Sequence, residues 1–130
     1  MNIRSLNSNQ SGLLQLLECI DNQFDVIVLS EIWSNNIDFY GNIIKGYTLY
    51  HDLPVNSNVG GIGMFIKNKL KVKLRPDLSL QKFPQNIVED IWIEITKNNN
   101  SYIVGGIYRH PDQNISFFSD ALDVILNKIS

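Results

Sequence analysis

Apolar residues at helical spacing first appear at Leu13, Leu14, Leu17 and Ile20, so residues 11–22 are predicted to form an amphipathic helix capped by Asn9 or Ser11. A continuous apolar run, Val26-Ile27-Val28-Leu29, follows within residues 25–30. A strand that is apolar on both faces belongs between two layers, as in an α/β protein. Glu31 stands immediately at its carboxyl end, where open α/β sheets place ligand-binding side chains. The pattern then becomes that of short strands. Residues 47–51, 62–66 and 70–74 read as strands, with Lys67-Asn68-Lys69 as the turn between the last two. Residues 70–74 alternate apolar and basic side chains, which fits a half-exposed strand near a sheet edge. Residues 76–84 read as loop. Ile91-Trp92-Ile93-Glu94-Ile95 alternates, residues 97–101 form a polar turn, and residues 102–108 return as the second arm of a hairpin. A last helix is predicted after Pro111, capped by Asn114 or Ser116 and running to Ile129, with Phe118, Leu122, Ile125 and Ile129 on its buried stripe.

The 130 residues suffice for one ordinary globular domain and not for two. Hydrophobic residues make up 44% and charged residues 18%, the balance of a folded chain. A net charge of -2 speaks against coating nucleic acid by bulk electrostatics, which needs an excess of Lys and Arg. It leaves room for a metal-dependent nuclease, whose cleft is acidic until the cation binds. Cys19 is the only cysteine, so an intramolecular disulfide is excluded, and its place among leucines predicts a buried, inert thiol. No Cys or His spacing suits zinc. No apolar stretch approaches the ~20 residues of a membrane helix, and residues 1–5 lack the apolar core of a signal peptide. The expectation is an intracellular chain that is not secreted and makes no membrane contact.

Three segments carry a more specific pattern: Asn2-Ile3-Arg4-Ser5-Leu6, Leu29-Ser30-Glu31-Ile32-Trp33 and Gly106-Ile107-Tyr108-Arg109-His110-Pro111. Between them lie Gly60-Gly61-Ile62-Gly63-Met64-Phe65-Ile66 and Val88-Glu89-Asp90-Ile91-Trp92-Ile93-Glu94. In this order the motifs resemble the apurinic-type endonuclease domain at the front of non-LTR (LINE-like) retrotransposon polyproteins, a branch of the endonuclease/exonuclease/phosphatase family. The resemblance runs over residues 1–130 and covers the first half of the family domain, so it implies a single incomplete domain. It implies an α/β fold, a partial four-layer α/β/β/α sandwich of mixed sheets flanked by helices, DNase I-like. The implied activity is Mg²⁺-dependent cleavage of a phosphodiester in one DNA strand, with Mn²⁺ as the alternative ion and the nucleus as the place of action.

By the same resemblance Glu31 matches the metal-binding glutamate, Asn2 the asparagine beside the metal, and Tyr108 the tyrosine that orients the scissile phosphate. Arg109 is a further donor to phosphate oxygens at that edge. Asn2 keeps a second reading as a frayed terminal residue, and Glu31 on its own would read as a carboxylate solvated at a sheet rim. His51 and His110 read as solvated loop histidines, and Trp33 and Trp92 as core or rim packing. Gly60-Gly61 lacks the Lys-Ser/Thr of a phosphate loop and reads as a turn with close sheet packing.

The family's second half contributes a Gly-Asp-x-Asn and a Ser-Asp-His motif, and neither occurs here. The resemblance therefore implies residual metal and phosphate binding without efficient catalysis. It also implies that residues 47–108 leave an apolar sheet face exposed, through which the chain self-associates. Abasic-site repair nucleases, inositol-phosphate phosphatases and sphingomyelinases share the metal glutamate, and the Asn2–Leu6 and Tyr108–Pro111 segments favour the retrotransposon branch over them. The alternative from another class is a non-catalytic binding fragment.

Overall fold

The computed structural model describes residues 1–19, 24–34, 40–52, 60–83 and 88–130. The first helix, α1, spans Leu6–Cys19 and so begins before the predicted start at Ser11. Ser5 supplies the cap instead of Asn9 or Ser11, its Oγ accepting from the Ser8 amide at 3.2 Å. The buried stripe is Leu6, Leu13 and Leu17, and the polar turn at residues 7–10 conceals its first member from a search for dense apolar spacing. Cys19, expected to be buried, is exposed, because it lies off that stripe. The predicted end of the helix at residue 22 lies outside the described residues.

Among the described residues six strands follow in two antiparallel sheets: β1 (Val26–Ser30), β2 (Tyr47–Asp52), β3 (Ile62–Lys67), β4 (Lys71–Leu74), β5 (Val88–Lys97) and β6 (Asn100–Arg109). The first sheet has the order β1-β3-β2 and the second β4-β5-β6. A parallel bridge between Asn2 and Ser30 adds the N-terminal segment beside β1. The turn at residues 67–70 passes the chain from one sheet to the other rather than closing a hairpin, because Leu70 and Val72 pack between the sheets. The β5–β6 connection is the expected hairpin. Its central residues Asn98 and Asn99 both have positive φ, 52° and 65°, as a two-residue hairpin loop demands. β4 is an edge strand, as its alternating basic residues predicted.

Three apolar clusters define four layers. Leu6, Leu13 and Leu17 of α1 pack on Ile27, Leu29 and Phe65 of the first sheet. Met64 and Ile66 meet Ile93 and Ile95 between the sheets. Trp92 meets Ala121 and Ile125 of the last helix, α2 (Ile115–Ile129). The order is α/β/β/α, the layering expected from the resemblance. Asn114 caps α2, its side chain accepting from the amides of Ser116 and Phe117 at 2.9 and 3.3 Å. The segment read as loop over residues 76–84 contains two 3₁₀ turns, Pro76–Leu78 and Leu80–Lys82. They form because Leu78 and Leu80, both fully buried, reach under the second sheet. Because the sheets cover each other, Leu74 and Tyr102 are the only strongly exposed large apolar side chains on the described strands. Ile115, Phe117, Val124, Leu126 and Ile129 of α2 are exposed, Ile129 against the expectation that it joins the buried stripe, so the apolar surface expected on the strands lies mainly on this helix. No helix among the described residues is long and apolar enough to cross a membrane.

At one end of the sandwich Asp25 pairs with Lys97 of β5 and, at 3.7 Å, with Lys67 of β3, so it ties the two sheets together. The hydrogen bond from Lys97, aided by the charges of Lys97 and Lys67, holds its carboxyl below the usual range. A depressed carboxyl stabilises the fold above its unfolded pKa, and that contribution disappears as pH falls through the folded value. Asp25→Asn should therefore melt below the wild type near neutral pH, and the two melting curves should converge in acid. A difference in Tm that stays constant with pH would remove the ion pairs as its source.

Candidate active site

At the opposite end four chain segments meet. The carboxyl end of β1 (Ser30) faces the first residue of β3 (Ile62) in the sheet register. In the second sheet, Glu89 near the start of β5 pairs with Tyr108 near the end of β6. The N-terminal segment is laced to the same rim. Ser30 donates to the Met1 carbonyl at 2.8 Å, and Ile3, Ser5 and Leu6 donate to the carbonyls of Ser30, Glu31 and Ile32. Trp33 donates to the Gly60 carbonyl at 3.1 Å, which closes the ring of segments. Arg4, Ser5, Glu31 and Trp33 all have positive φ, between 44° and 78°. Each such non-glycine residue costs about 1–3 kcal/mol and persists only where the surroundings hold it. Among the other described non-glycine residues, only the two hairpin asparagines share this conformation.

The side chains gathered there are acidic and aromatic. The Tyr108 hydroxyl lies beside the half-buried Glu31 carboxylate, close enough for its charge to act on the phenol. Burial first, then the charges of Glu31 and Glu89, push this phenol above its ordinary value, so it remains a donor. Glu89 is only 3% exposed. One of its oxygens accepts from the Gly61 amide at 3.2 Å, and the other lies 2.5 Å from His110 Nε2. Burial pushes the Glu89 carboxyl up, against the opposing effects of His110 and the Gly61 amide. The His110 ring stands edge-on to Tyr108, with centroids 5.1 Å apart. Gly60, at φ 79°, is required by this packing, since a Cβ there would lie 2.6 Å from Glu89 Oε1 and 3.1 Å from the Tyr108 ring.

The structure thus brings Glu31 and Tyr108 into contact, and it treats the other candidates differently. Asn2 is paired through its backbone with Ser30, one residue from Glu31, while its exposed side chain makes no hydrogen bond among the described residues. Arg109, expected to reach phosphate, projects from the opposite face of β6 to Tyr108, as strand alternation dictates. Its guanidinium donates to the carbonyls of His110 and Gln113 at 3.4 and 3.1 Å and lies over the Phe118 ring. His51 is exposed, in line with a solvated histidine. Trp92 is buried against α2 and donates to Asp90 at 2.9 Å. His110 departs from its expected solvated state and is half-buried against Glu89. The sequence signal that could have found this pair is the strand-start Val88-Glu89-Asp90, where two acidic residues precede an alternating strand and so enter a buried row.

No three His, Cys, Asp or Glu residues gather into a closed metal cage among the described residues. Glu31, half-buried with a phenol on one side, fits the open kind of site instead. Mg²⁺ uses one or two carboxylates there and leaves its other positions to water and substrate oxygens.

The arrangement of sheets and helices defines the class: the chain has a DNase I-like fold. The endonuclease domain of TRAS1, a telomere-specific non-LTR retrotransposon, superposes with a TM-score of 0.67 at 12% identity, over 100% of this chain and 53% of that one. The human Nocturnin catalytic domain with bound sulfate matches at 0.55 and 15% identity, over 98% of this chain and 54% of that one. The Xenopus laevis APE2 catalytic domain matches at 0.54 and 15%, over 98% and 53%. The chain spans about half the length of each. At identities this low the likeness is one of fold. No family model matches the chain, and no curated protein matches its sequence.

Proposed function

We propose that this rim is the metal- and phosphate-binding part of a retrotransposon-type DNA endonuclease site, and that residues 1–130 form the first half of such a domain. The observation that carries the reading is the juxtaposition of Tyr108 and Glu31 at strand ends on one rim, with Glu31 held by strained backbone and Tyr108 packed against Gly60. Glu31 is the residue to hold Mg²⁺ or Mn²⁺, and the bound ion would offset charge on the phosphate and the departing oxygen. Tyr108, kept protonated, donates to a phosphate oxygen and so orients the diester of a DNA strand. Asn2, anchored beside Ser30, is the third contact on that side. Arg109 is left out, because its guanidinium supports the turn into α2. The likeness to the TRAS1 endonuclease domain supports the retrotransposon branch, and the half-length span supports a partial domain.

The reading is tested by titrating Mg²⁺ and Mn²⁺ into the wild type and Glu31→Gln, followed by NMR and calorimetry. Weak binding that depends on Glu31 is expected. Equal binding by both proteins would take Glu31 out of the site. Tyr108→Phe should leave metal binding intact and weaken binding of a short DNA strand in the presence of Mg²⁺. The lost charge-assisted hydrogen bond to phosphate is worth roughly 1.5–3 kcal/mol, about tenfold or more in Kd.

A further inference from the structure

The rim holds a second carboxylate that the metal and phosphate roles do not use. Glu89 is buried and stands directly opposite Tyr108 in the β5–β6 register. Both of its oxygens are engaged. One accepts from the Gly61 amide at 3.2 Å, and the other lies 2.5 Å from His110 Nε2. These two tethers end beside the Tyr108 ring. His110 stands edge-on to that ring, with centroids 5.1 Å apart. Gly60, next to Gly61, lies so close to it that an added Cβ would be 3.1 Å from Tyr108 Cε1. Gly60 is also joined to the Glu31 segment, since its carbonyl accepts from the Trp33 amide at 3.1 Å. Without the Glu89 carboxylate both neighbours of the ring lose their tether. A buried amide left without an acceptor is costly, and the backbone that carries it moves to find water or another partner.

We infer that Glu89 is a positioning residue of this site: by holding Gly61 and His110 it fixes the Tyr108 ring beside Glu31, where the hydroxyl can meet a phosphodiester oxygen. This rests on the phosphodiester reading of the rim and gives a function to the buried carboxylate within it. A binding group has to be held within about 0.5 Å of its productive place by the packing and hydrogen bonds behind it. Glu89 supplies that support and acts through Tyr108, without touching ion or phosphate itself. A carboxylate that only stabilised the fold would change unfolding and leave the aim of the hydroxyl as it was.

The test is a double-mutant cycle read as the Kd of the chain for a short DNA strand in the presence of Mg²⁺. Glu89→Met fills the volume without an acceptor and should weaken binding about tenfold, the loss expected of Tyr108→Phe. Glu89→Gln keeps an acceptor for the Gly61 amide and a donor for His110 Nε2, so it should bind nearly as the wild type does. In the Tyr108→Phe background Glu89→Met should cost little more, because the hydroxyl that Glu89 aims is gone. If Glu89→Met loses its circular dichroism, Glu89→Asp takes its place, its carboxylate withdrawn by one methylene. Wild-type affinity in Glu89→Met, or a tenfold loss that persists in the Tyr108→Phe background, would overturn the positioning role. A loss in Glu89→Gln as large as in Glu89→Met would assign the effect to charge and also overturn it. Failure of the positioning role alone leaves the loss in Tyr108→Phe standing. If Tyr108→Phe binds as the wild type does, the phosphate reading fails and the positioning role fails with it. The metal reading is decided separately, by the dependence of ion binding on Glu31.

Discussion

Asp90→Ala is expected to be among the most destabilising single substitutions in this chain. The Asp90 carboxylate is 6% exposed and accepts four hydrogen bonds: from Ser79 Oγ at 2.8 Å, the Leu80 amide at 2.7 Å, Gln81 Nε2 at 3.1 Å and Trp92 Nε1 at 2.9 Å. Ser79 and Gln81 can turn to water when the carboxylate is removed. The Leu80 amide and the Trp92 indole cannot, because their bonds to Asp90 are buried. Each stranded donor costs roughly 1–3 kcal/mol, against a typical total stability of about 5–15 kcal/mol. Asp90→Asn keeps one acceptor oxygen and should fall between alanine and the wild type. Equilibrium urea unfolding of the three proteins measures the order. A loss below about 1 kcal/mol for alanine would show that water reaches these donors, since a hydrated donor bears no such penalty.

Gly60→Ala should damage both stability and site, and a second glycine separates the causes. Gly46 and Gly60 have similar φ, 85° and 79°, yet a Cβ on Gly46 meets nothing within 4 Å. Gly46→Ala therefore carries the backbone strain alone, about 1–2 kcal/mol. At Gly60 the added methyl lies 2.6 Å from Glu89 Oε1 and must displace that carboxylate or the Tyr108 ring. The expected loss is larger than for Gly46→Ala by about 1–3 kcal/mol, the usual cost of overpacking. Shifts in the NMR signals of Tyr108 and His110 should accompany it. Thermal unfolding of both variants gives the difference. Equal losses would mean that Glu89 yields at little cost, and that the pair with His110 is loosely held.

The same residues show how much could be read before the structure. The hairpin between β5 and β6, the Asn114 cap, the edge character of β4 and the buried β1 each follow from a local cause: turn chemistry, a capping oxygen, or alternation of burial. Glu31 was legible as a carboxylate at the end of a buried strand, and its contact with Tyr108 was approached only through a motif resemblance. The burial of Glu89 had a local sign in the strand-start Val88-Glu89-Asp90, but its partner His110 had none. The two are 21 positions apart, and Gly61, which completes the contact, is 28 positions from Glu89.

The sequence by itself determined where the strands and the two helices lie and, except at Cys19 and Ile129, which side chains they bury, because periodicity and capping act within a few residues. Tertiary structure alone decided where those faces meet. It started α1 at Leu6 by giving that leucine a core to enter, and it drew residues 76–82 into 3₁₀ turns over Leu78 and Leu80. It sent the turn at residues 67–70 from one sheet to the other. It turned Arg109 toward α2 and His110 toward Glu89, since successive strand residues face opposite sides and only the packed neighbour says which side is the site. Long-range contact sets these outcomes, because a buried polar group must find its partner wherever the fold brings one.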